Sequence, residues 1–183
     1  RANIKNELQC MYGNAPGSCN VVNADRTIHQ GIEAGLGFAV LKDLFAPGAD
    51  RVWLNLAYTF SDFRFDNDPV FGNNLLPGAP RHFLRGEVLY KHANGFYVGP
   101  NVEWVPRAYY VDNVNTLTTS AYAIWGLKAG VDDGRTSIYL EARNIANTAY
   151  IASTSIARGA NAASPLFEPG TGRAVYAGLR MRW

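Results

Sequence analysis

Four side chains in two segments of the chain combine positive charge with aromatic character. Arg107, Tyr109 and Tyr110 are close together in the sequence, and Arg158 lies in a second long segment. Guanidinium groups pair with anionic groups, and aromatic rings attract cations. These four residues could therefore hold an anionic or catecholate ligand. The alternative is that they are ordinary interface or lumen residues that bind no ligand, and the residue types alone leave both interpretations open.

Patterns for catalysis or metal binding have little support. Asp62, Asp66 and Asp68 cluster near the end of a predicted strand and could hold Ca²⁺, but their spacing does not match a calcium loop, and a solvated acidic loop is the favoured interpretation. The histidines lie on three different segments, at His29, His82 and His92. No nucleophile motif, phosphate-binding loop or metal-ligand spacing is present. The sequence therefore predicts neither an enzyme nor a protein with a metal or cofactor.

The two cysteines flank a segment that can turn back on itself. Cys10 and Cys19 enclose MYGNAPGS, which contains two glycines and a proline. A pair that closes a short loop predicts a disulfide formed in an oxidising compartment. Two free thiols or a two-cysteine metal site are the alternatives, and the metal site is weak because the nearest histidine is His29.

The last nine residues show the clearest structural pattern. In VYAGLRMRW, apolar residues alternate with polar or small ones from Val175 to Trp183. A period of two predicts a strand with one apolar face, and the chain stops on that face with an aromatic residue. Aromatic residues are enriched at the boundary between membrane and water, which favours a membrane strand over a soluble one.

The same alternation recurs and predicts eight strands joined as hairpins, with no helix of useful length. A bulge or local break is expected at Pro100, because proline cannot donate to a strand ladder. The predicted connections alternate in length along the chain. The short ones are 44–50, 92–94 and 132–134, and the long ones are 10–25, 67–80, 107–119 and 149–173.

These features predict an all-β fold, an antiparallel segment of a transmembrane β-barrel. Several predicted strands reach about eleven residues, the length that crosses an apolar band of roughly 25 Å at a tilt of about 45°. Short turns on one side and long loops on the other are also typical of such barrels. With a net charge of +2 and 17% charged residues, the 183-residue chain shows no nucleic-acid-binding signature. A soluble β-sandwich and a small self-contained eight-stranded barrel are the alternatives.

The ending resembles the C-terminal signal of bacterial outer-membrane proteins, with Tyr176, Gly178, Met181 and Trp183 in its positions. More widely, the chain resembles the C-terminal part of a TonB-dependent outer-membrane receptor of the siderophore type. The segments that carry this resemblance are NADRTIHQGIEAGL, GNNLLPGAPRH, GFYVGPNVEWVPRAYYVDNVNT, EARNIANTAYIAS and PGTGRAVYAGLRMRW.

The resemblance implies a barrel of twenty-two strands around an N-terminal plug, with residues 1–183 supplying the last eight strands. The plug and the TonB box are not among these residues, so the chain is interpreted as a piece of the receptor. The resemblance implies active transport of a scarce nutrient, most simply a ferric siderophore, with vitamin, copper or heme as alternatives. It further implies outer-membrane lipid, the TonB complex and the barrel assembly machinery as partners.

Overall fold

The computed structural model describes residues 1–12 and 19–182, and eight of its ten strands form one antiparallel sheet. The strands of this sheet follow one another in the order of the sequence, except that β10 takes the place next to β7. Their bounds are β1 Ala2–Tyr12, β2 Cys19–Lys42, β3 Asp50–Phe65, β4 His82–His92, β5 Phe96–Val105, β6 Tyr122–Asp132, β7 Thr136–Arg143 and β10 Ala174–Met181. β8 (Ile151–Thr154) and β9 (Phe167–Pro169) form a separate small hairpin.

The register of the sheet sorts the side chains onto two faces. Paired residues of neighbouring strands point to the same face, so the alternation in each strand becomes rows across the sheet. One row on the apolar face runs through Leu36, Leu56, Gly86, Val102 and Trp125. We call the opposite side the inner face, and it carries most of the charged residues of the strands.

The apolar face is not covered by a second layer of the described structure. Ile32, Leu140 and Leu179 are each more than half exposed, at 63%, 51% and 63%. A soluble β-sandwich would bury these side chains against another sheet, so that alternative is wrong. The prediction of an all-β fold built on an antiparallel sheet is confirmed, and its exposed apolar face is the one expected of a membrane-barrel segment.

Short turns and long loops lie at opposite edges of the sheet, as predicted. The Asp-Gly turn after β6 is stabilised by the carboxylate of Asp133, which accepts hydrogen bonds from the N–H groups of Thr136 (2.7 Å) and Arg135 (2.9 Å). These two donors lower the pKa of Asp133 below its ordinary value of 3.8. Gly134 has a φ of 89°, a left-handed conformation that glycine adopts without steric cost. Among the described residues, no helix is long and apolar enough to cross a membrane.

Two local expectations differ from the structure, and a third is confirmed in part. The segment around the cysteines is a hairpin of long strands rather than a loop to Asp25, because β1 continues to Tyr12 and β2 begins at Cys19. The last long loop is not structureless, since it contains β8 and β9. Pro100 gives the expected local break on one side only: the pairing of β5 with β4 lapses beside it, while Pro100 stays paired with Leu127 of β6 and no bulge or register shift occurs.

Candidate functional site

Three long loops gather at one edge of the sheet. We call them loop A (residues 66–81, between β3 and β4), loop B (106–121, between β5 and β6) and loop C (144–173, between β7 and β10). Both hydrophobic cores of the described structure involve these loops rather than the sheet alone. The loops therefore have a folded structure of their own, which we call the cap.

Loops A and B are joined by hydrogen bonds that involve their backbones. The amide of Asn115 makes a reciprocal pair with Leu75, accepting from its N–H at 2.8 Å and donating to its carbonyl at 2.9 Å. Asn74 donates its side-chain amide to the carbonyl of Asn113 at 2.8 Å. Gly78 donates its N–H to the carbonyl of Tyr110 at 2.8 Å. Because these hydrogen bonds fix loop B to loop A at Tyr110, Asn113 and Asn115, the two loops form one unit.

Asp112 is the centre of the cap. Its side chain is fully buried, and its carboxylate accepts four hydrogen bonds. Three come from loop B itself, from the N–H and hydroxyl of Thr116 at 2.9 and 2.5 Å and from the N–H of Leu117 at 2.9 Å. The fourth comes from the N–H of Ala160 in loop C at 3.3 Å. A buried carboxylate with this many donors orders loop B and ties it to loop C.

Apolar packing reinforces the contact between loops B and C. Val111, Ala157 and Leu166 are buried against one another, at 0%, 6% and 5% exposure. Backbone bonds run alongside, from Asn113 N–H to the carbonyl of Ala157 at 3.0 Å and from Val114 N–H to the carbonyl of Arg158 at 3.1 Å. Loop C therefore packs on loop B through a small hydrophobic core.

Asn144 fixes the base of loop C where the chain leaves β7. It is nearly fully buried, with a left-handed φ of 51°. Its amide donates to the carbonyls of Thr148 (2.9 Å) and Thr171 (3.0 Å) and accepts from the N–H of Thr148 (2.8 Å). These bonds connect the beginning and end of loop C and close its base. Asparagine tolerates the left-handed region better than most residues, which suits it to this position.

The four predicted ligand-binding residues take two different environments in the cap. Arg107 and Arg158 are exposed, whereas Tyr109 is buried at 8% and Tyr110 is half-buried. Burial raises the pKa of the Tyr109 phenol, and a hydrogen bond with Thr119 opposes this effect. The carbonyl of Arg158 accepts a hydrogen bond from Val114 of loop B, whereas Arg107 lies at the start of loop B, next to the end of β5. The arginines are therefore accessible to solvent, whereas Tyr109 is part of the packed interior of the cap.

Below the cap, the inner face forms a polar cavity of about 520 Å³. This volume is within the range of small-molecule pockets, roughly 300–1,000 Å³. Strand residues form its wall, and loop C forms its upper rim with Asn144, Tyr150 and Thr171. The cavity therefore lies on the inner face of the sheet at the base of loop C, and the described residues that line it include none from loops A and B.

Ion pairs cover the inner face at this cavity. Arg85 pairs with Glu103 at 3.2 Å, Arg143 pairs with Glu141 at 3.6 Å, and Lys128 pairs with Glu87. The guanidinium side chains of Arg85 and Arg143 are 65% and 60% exposed, so these pairs add little stability and their charges stay available to a polar partner. With three cations and three anions, the wall is charged but balanced.

The three aspartates near the end of β3 do not form a calcium site. Asp62 and Asp68 are buried at 9% and 8% and make internal contacts, so the expected solvated acidic loop is wrong for both. Asp68 accepts hydrogen bonds from the N–H groups of Val70 and Phe71 at 2.8 and 2.9 Å, which closes the tip of loop A. In the described parts of the chain, no three His, Cys, Asp or Glu residues converge as a metal site requires.

The remaining predicted residues are at the ends of the described chain. Tyr176, Gly178 and Met181 lie on β10, with Met181 on the exposed apolar face and the ring of Tyr139 against Gly178 on the inner face. Trp183 and the side chains of Cys10 and Cys19 lie outside the described residues. The assembly role of this ending and the disulfide therefore stay predictions.

Sequence reasoning missed the residues that build the cap and the cavity. Asp112, Asn115 and Asn144 look like ordinary loop residues, because their bonds join segments that are distant in the sequence. One signal was present, since asparagines in loops adopt left-handed conformations several-fold more often than most residues. Asn67, Asn115, Asn144 and Asn147 all do so here.

Comparisons with known proteins agree with this architecture. The sequence model of the family "TonB dependent receptor-like, beta-barrel" matches residues 1–145. No curated protein sequence matches the chain. The similar solved structures include the ferric yersiniabactin uptake receptor FyuA from Yersinia pestis, with 21% identity, a TM-score of 0.65, and 88% of this chain and 24% of that one covered.

Two further structures are similar to a comparable degree. The siderophore receptor PiuA from Acinetobacter baumannii has 17% identity and a TM-score of 0.63, with 87% of this chain and 22% of that one covered. The ferric-catecholate import receptor Fiu from E. coli K12 has 20% identity and a TM-score of 0.60, with 97% and 23% covered. At these identities the likeness concerns the fold, and the chain spans about a quarter of the length of these structures.

Proposed function

This chain belongs to the family of TonB-dependent receptor β-barrels, and we propose that it forms the C-terminal part of a receptor that imports a ferric siderophore. The family places it in the bacterial outer membrane. β1 and β10 are the edges of the described sheet, and their free backbone groups need partners in lipid. In the proposal, further strands complete a barrel of twenty-two around a plug domain.

The observation that supports this function best is the combination of a folded cap with a polar cavity on the inner face at the base of loop C. Loops B and C present Arg107 and Arg158 to solvent, and the cavity has room for a small molecule. Such an arrangement suits capture of a ligand outside the cell and its passage along a polar wall. The three similar structures above are named as siderophore or ferric-catecholate receptors, which supports a ligand of that class.

The remaining parts of the proposal follow the family. Import is driven by the TonB complex through the plug, and the charged inner face is the wall against which the plug lies. The barrel assembly machinery recognises the ending that contains Tyr176, Gly178, Met181 and Trp183. Hydrocarbon surrounds the apolar face, and no catalytic step is part of the function.

Growth of a receptor deletion strain tests the nutrient class. The strain is grown under separate limitation for iron, copper, heme and vitamin, with and without the full receptor gene restored. We expect the deletion strain to stop growing only when a ferric siderophore is the nutrient source. The restored receptor gene should rescue that growth only when TonB is active. Loss confined to a copper, heme or vitamin source would contradict the siderophore assignment, and growth that does not depend on TonB would contradict the energy source.

Substitutions in the full receptor test the ligand-binding residues. Arg107→Gln and Tyr110→Ala should each weaken binding of the imported ferric siderophore by about tenfold, in keeping with roughly 1–2 kcal/mol for one charge-assisted or aromatic contact. Arg135→Gln is the matched control, because Arg135 is an exposed arginine in a turn at the opposite edge of the sheet. Affinity equal to wild type in both loop variants would reject their role.

A further inference from the structure

The apolar face of β3 ends abruptly in charged residues on the side of the sheet where the cap lies. From Val52 to Phe60, every second residue on this face is apolar or aromatic, and the next two positions are Asp62 and Arg64. On the neighbouring strand, Gln30 pairs with Asp62 and Ile28 pairs with Arg64. This change from apolar to charged marks the outer boundary of the hydrocarbon on the outside of the barrel wall.

Two guanidinium groups meet at this boundary on one buried carboxylate. Asp62 contacts Arg81 through one oxygen at 3.1 Å and Arg64 through the other at 3.8 Å. Gln30 donates its amide to the carboxylate of Asp62 at 2.7 Å. The Asp62 side chain is 13% exposed, whereas the side chains of Arg64 and Arg81 are 40% and 44% exposed. Asp62 thus holds both arginines in place while much of each stays open to a partner.

Aromatic residues lie directly below Arg81. The guanidinium of Arg81 lies 5.7 Å from the ring centre of Phe60, and the ring of His82 lies 5.2 Å from the same ring. His82 also hydrogen-bonds the hydroxyl of Tyr58 at 2.8 Å through its Nδ1. Rings with polar groups at this level are typical of the interface between hydrocarbon and lipid headgroups.

We propose that Arg64 and Arg81 bind the phosphate of an anionic lipid headgroup in the outer leaflet. The two guanidiniums carry two positive charges against one carboxylate, so the cluster has a net positive charge that a phosphate can neutralise. Arginine presents paired donors that match phosphate oxygens, and the acyl chains of the same lipid would cover the apolar residues below. Because the cluster is on the apolar face, it is separate from the cavity on the inner face.

This inference depends on membership of the outer-membrane barrel family and not on the proposed import function. The two can therefore fail independently. A receptor that imports copper or a vitamin would have the same boundary on its outer wall. Conversely, a siderophore receptor without a bound lipid would still have its cap and cavity.

The experiment measures lipid binding to the full-length receptor that contains this chain. The receptor is purified in a neutral detergent and titrated with dioleoyl phosphatidic acid, and bound lipid is counted by native mass spectrometry. Dioleoyl phosphatidylcholine has the same chains but a zwitterionic headgroup, and inorganic phosphate tests the anion without the chains. Arg64→Gln/Arg81→Gln should weaken binding of phosphatidic acid by roughly 30-fold, since each basic residue near a lipid surface contributes about fivefold to the affinity.

Arg51→Gln/Arg180→Gln is the matched control, because it removes two exposed charges from the inner face. It should bind phosphatidic acid within about twofold of wild type. Equal binding by the Arg64/Arg81 variant and wild type, or an equal loss in the control, would overturn the proposal. Displacement of the lipid by millimolar inorganic phosphate would also overturn it, since the site would then hold a free anion. Should the double variant fail to fold, Arg64→Gln alone must still lose about fivefold.

Discussion

Replacing Asp112 with asparagine should loosen the cap without affecting the sheet. Asparagine keeps one acceptor oxygen in place of two and presents an amide where the carboxylate accepted from Ala160 N–H. The Oδ1 bonds to Thr116 and Leu117 can persist, while the partly buried N–H of Ala160 loses its charged acceptor. A lost bond to a charged group or an orphaned buried donor costs about 1–3 kcal/mol, so we expect the free energy of cap opening to fall by about 2 kcal/mol.

Amide hydrogen exchange of the full receptor, followed by mass spectrometry of peptides, measures this change. A decrease of about 2 kcal/mol corresponds to roughly 30-fold faster exchange, because 1.4 kcal/mol is tenfold. The faster exchange should appear in peptides that cover 110–118 and 155–161, which are the segments that Asp112 connects. Peptides from β4 to β7 should keep the wild-type rate, because Asp112 makes no bond to those strands in the described structure.

Asp25→Asn is the matched control, since Asp25 is exposed and belongs to the neighbouring hairpin of β1 and β2. It should leave exchange of loops B and C unchanged. Wild-type exchange in peptide 110–118 of the Asp112→Asn variant would refute the role assigned to this carboxylate. Equal acceleration across the whole barrel would also refute it, because the effect would then be on global stability and not on the cap.

Three further predictions concern other parts of the chain. Asn144→Ala removes three hydrogen bonds at the base of loop C and should cost about 3 kcal/mol locally, seen as roughly 100-fold faster exchange of the Thr148 amide. Gly178→Val places a side chain where the Tyr139 ring lies, so a smaller fraction of the receptor should reach the folded form that resists heat in gel electrophoresis. The lowered pKa of Asp133 means that its stabilisation of the turn is present above pH 3.8 and is lost as pH falls through its folded-state pKa, which exchange of the Thr136 amide against pH would show.

The strands could be predicted from sequence because one physical property determines them. Hydrocarbon outside and a polar lumen inside impose a period of two on each strand, and pairing in the order of the sequence follows from short turns. The Asp-Gly turn at Asp133 could also be predicted, because the hydrogen bonds that stabilise it join residues that are neighbours in the sequence. Strand ends were less predictable: β2 begins at Cys19, before its apolar alternation becomes clear.

The cap could not be predicted in the same way. Asp112 and Ala160 are far apart in the sequence, and so are Asn115 and Leu75. No periodicity relates such residues, and their side chains are those of ordinary solvated loops. The arginines and tyrosines of these loops were identified as candidates from residue type, but only the fold shows that Tyr109 is buried while Arg107 and Arg158 are exposed.

The linkage between the loops determines how a ligand could reach the cavity. If the exposed surface of the cap is itself the binding surface, a looser cap must be ordered on binding, and Asp112→Asn should weaken the affinity of the full receptor for its ligand. If the cap must open to admit the ligand, the same substitution increases the competent fraction and should strengthen the affinity. The carbonyl of Arg158 accepts a hydrogen bond from Val114 of loop B, so a ligand that moves Arg158 also changes the position of loop B. The sign of the change in affinity therefore distinguishes a preformed surface from a gate, and the same variant measures both the opening energy and its consequence.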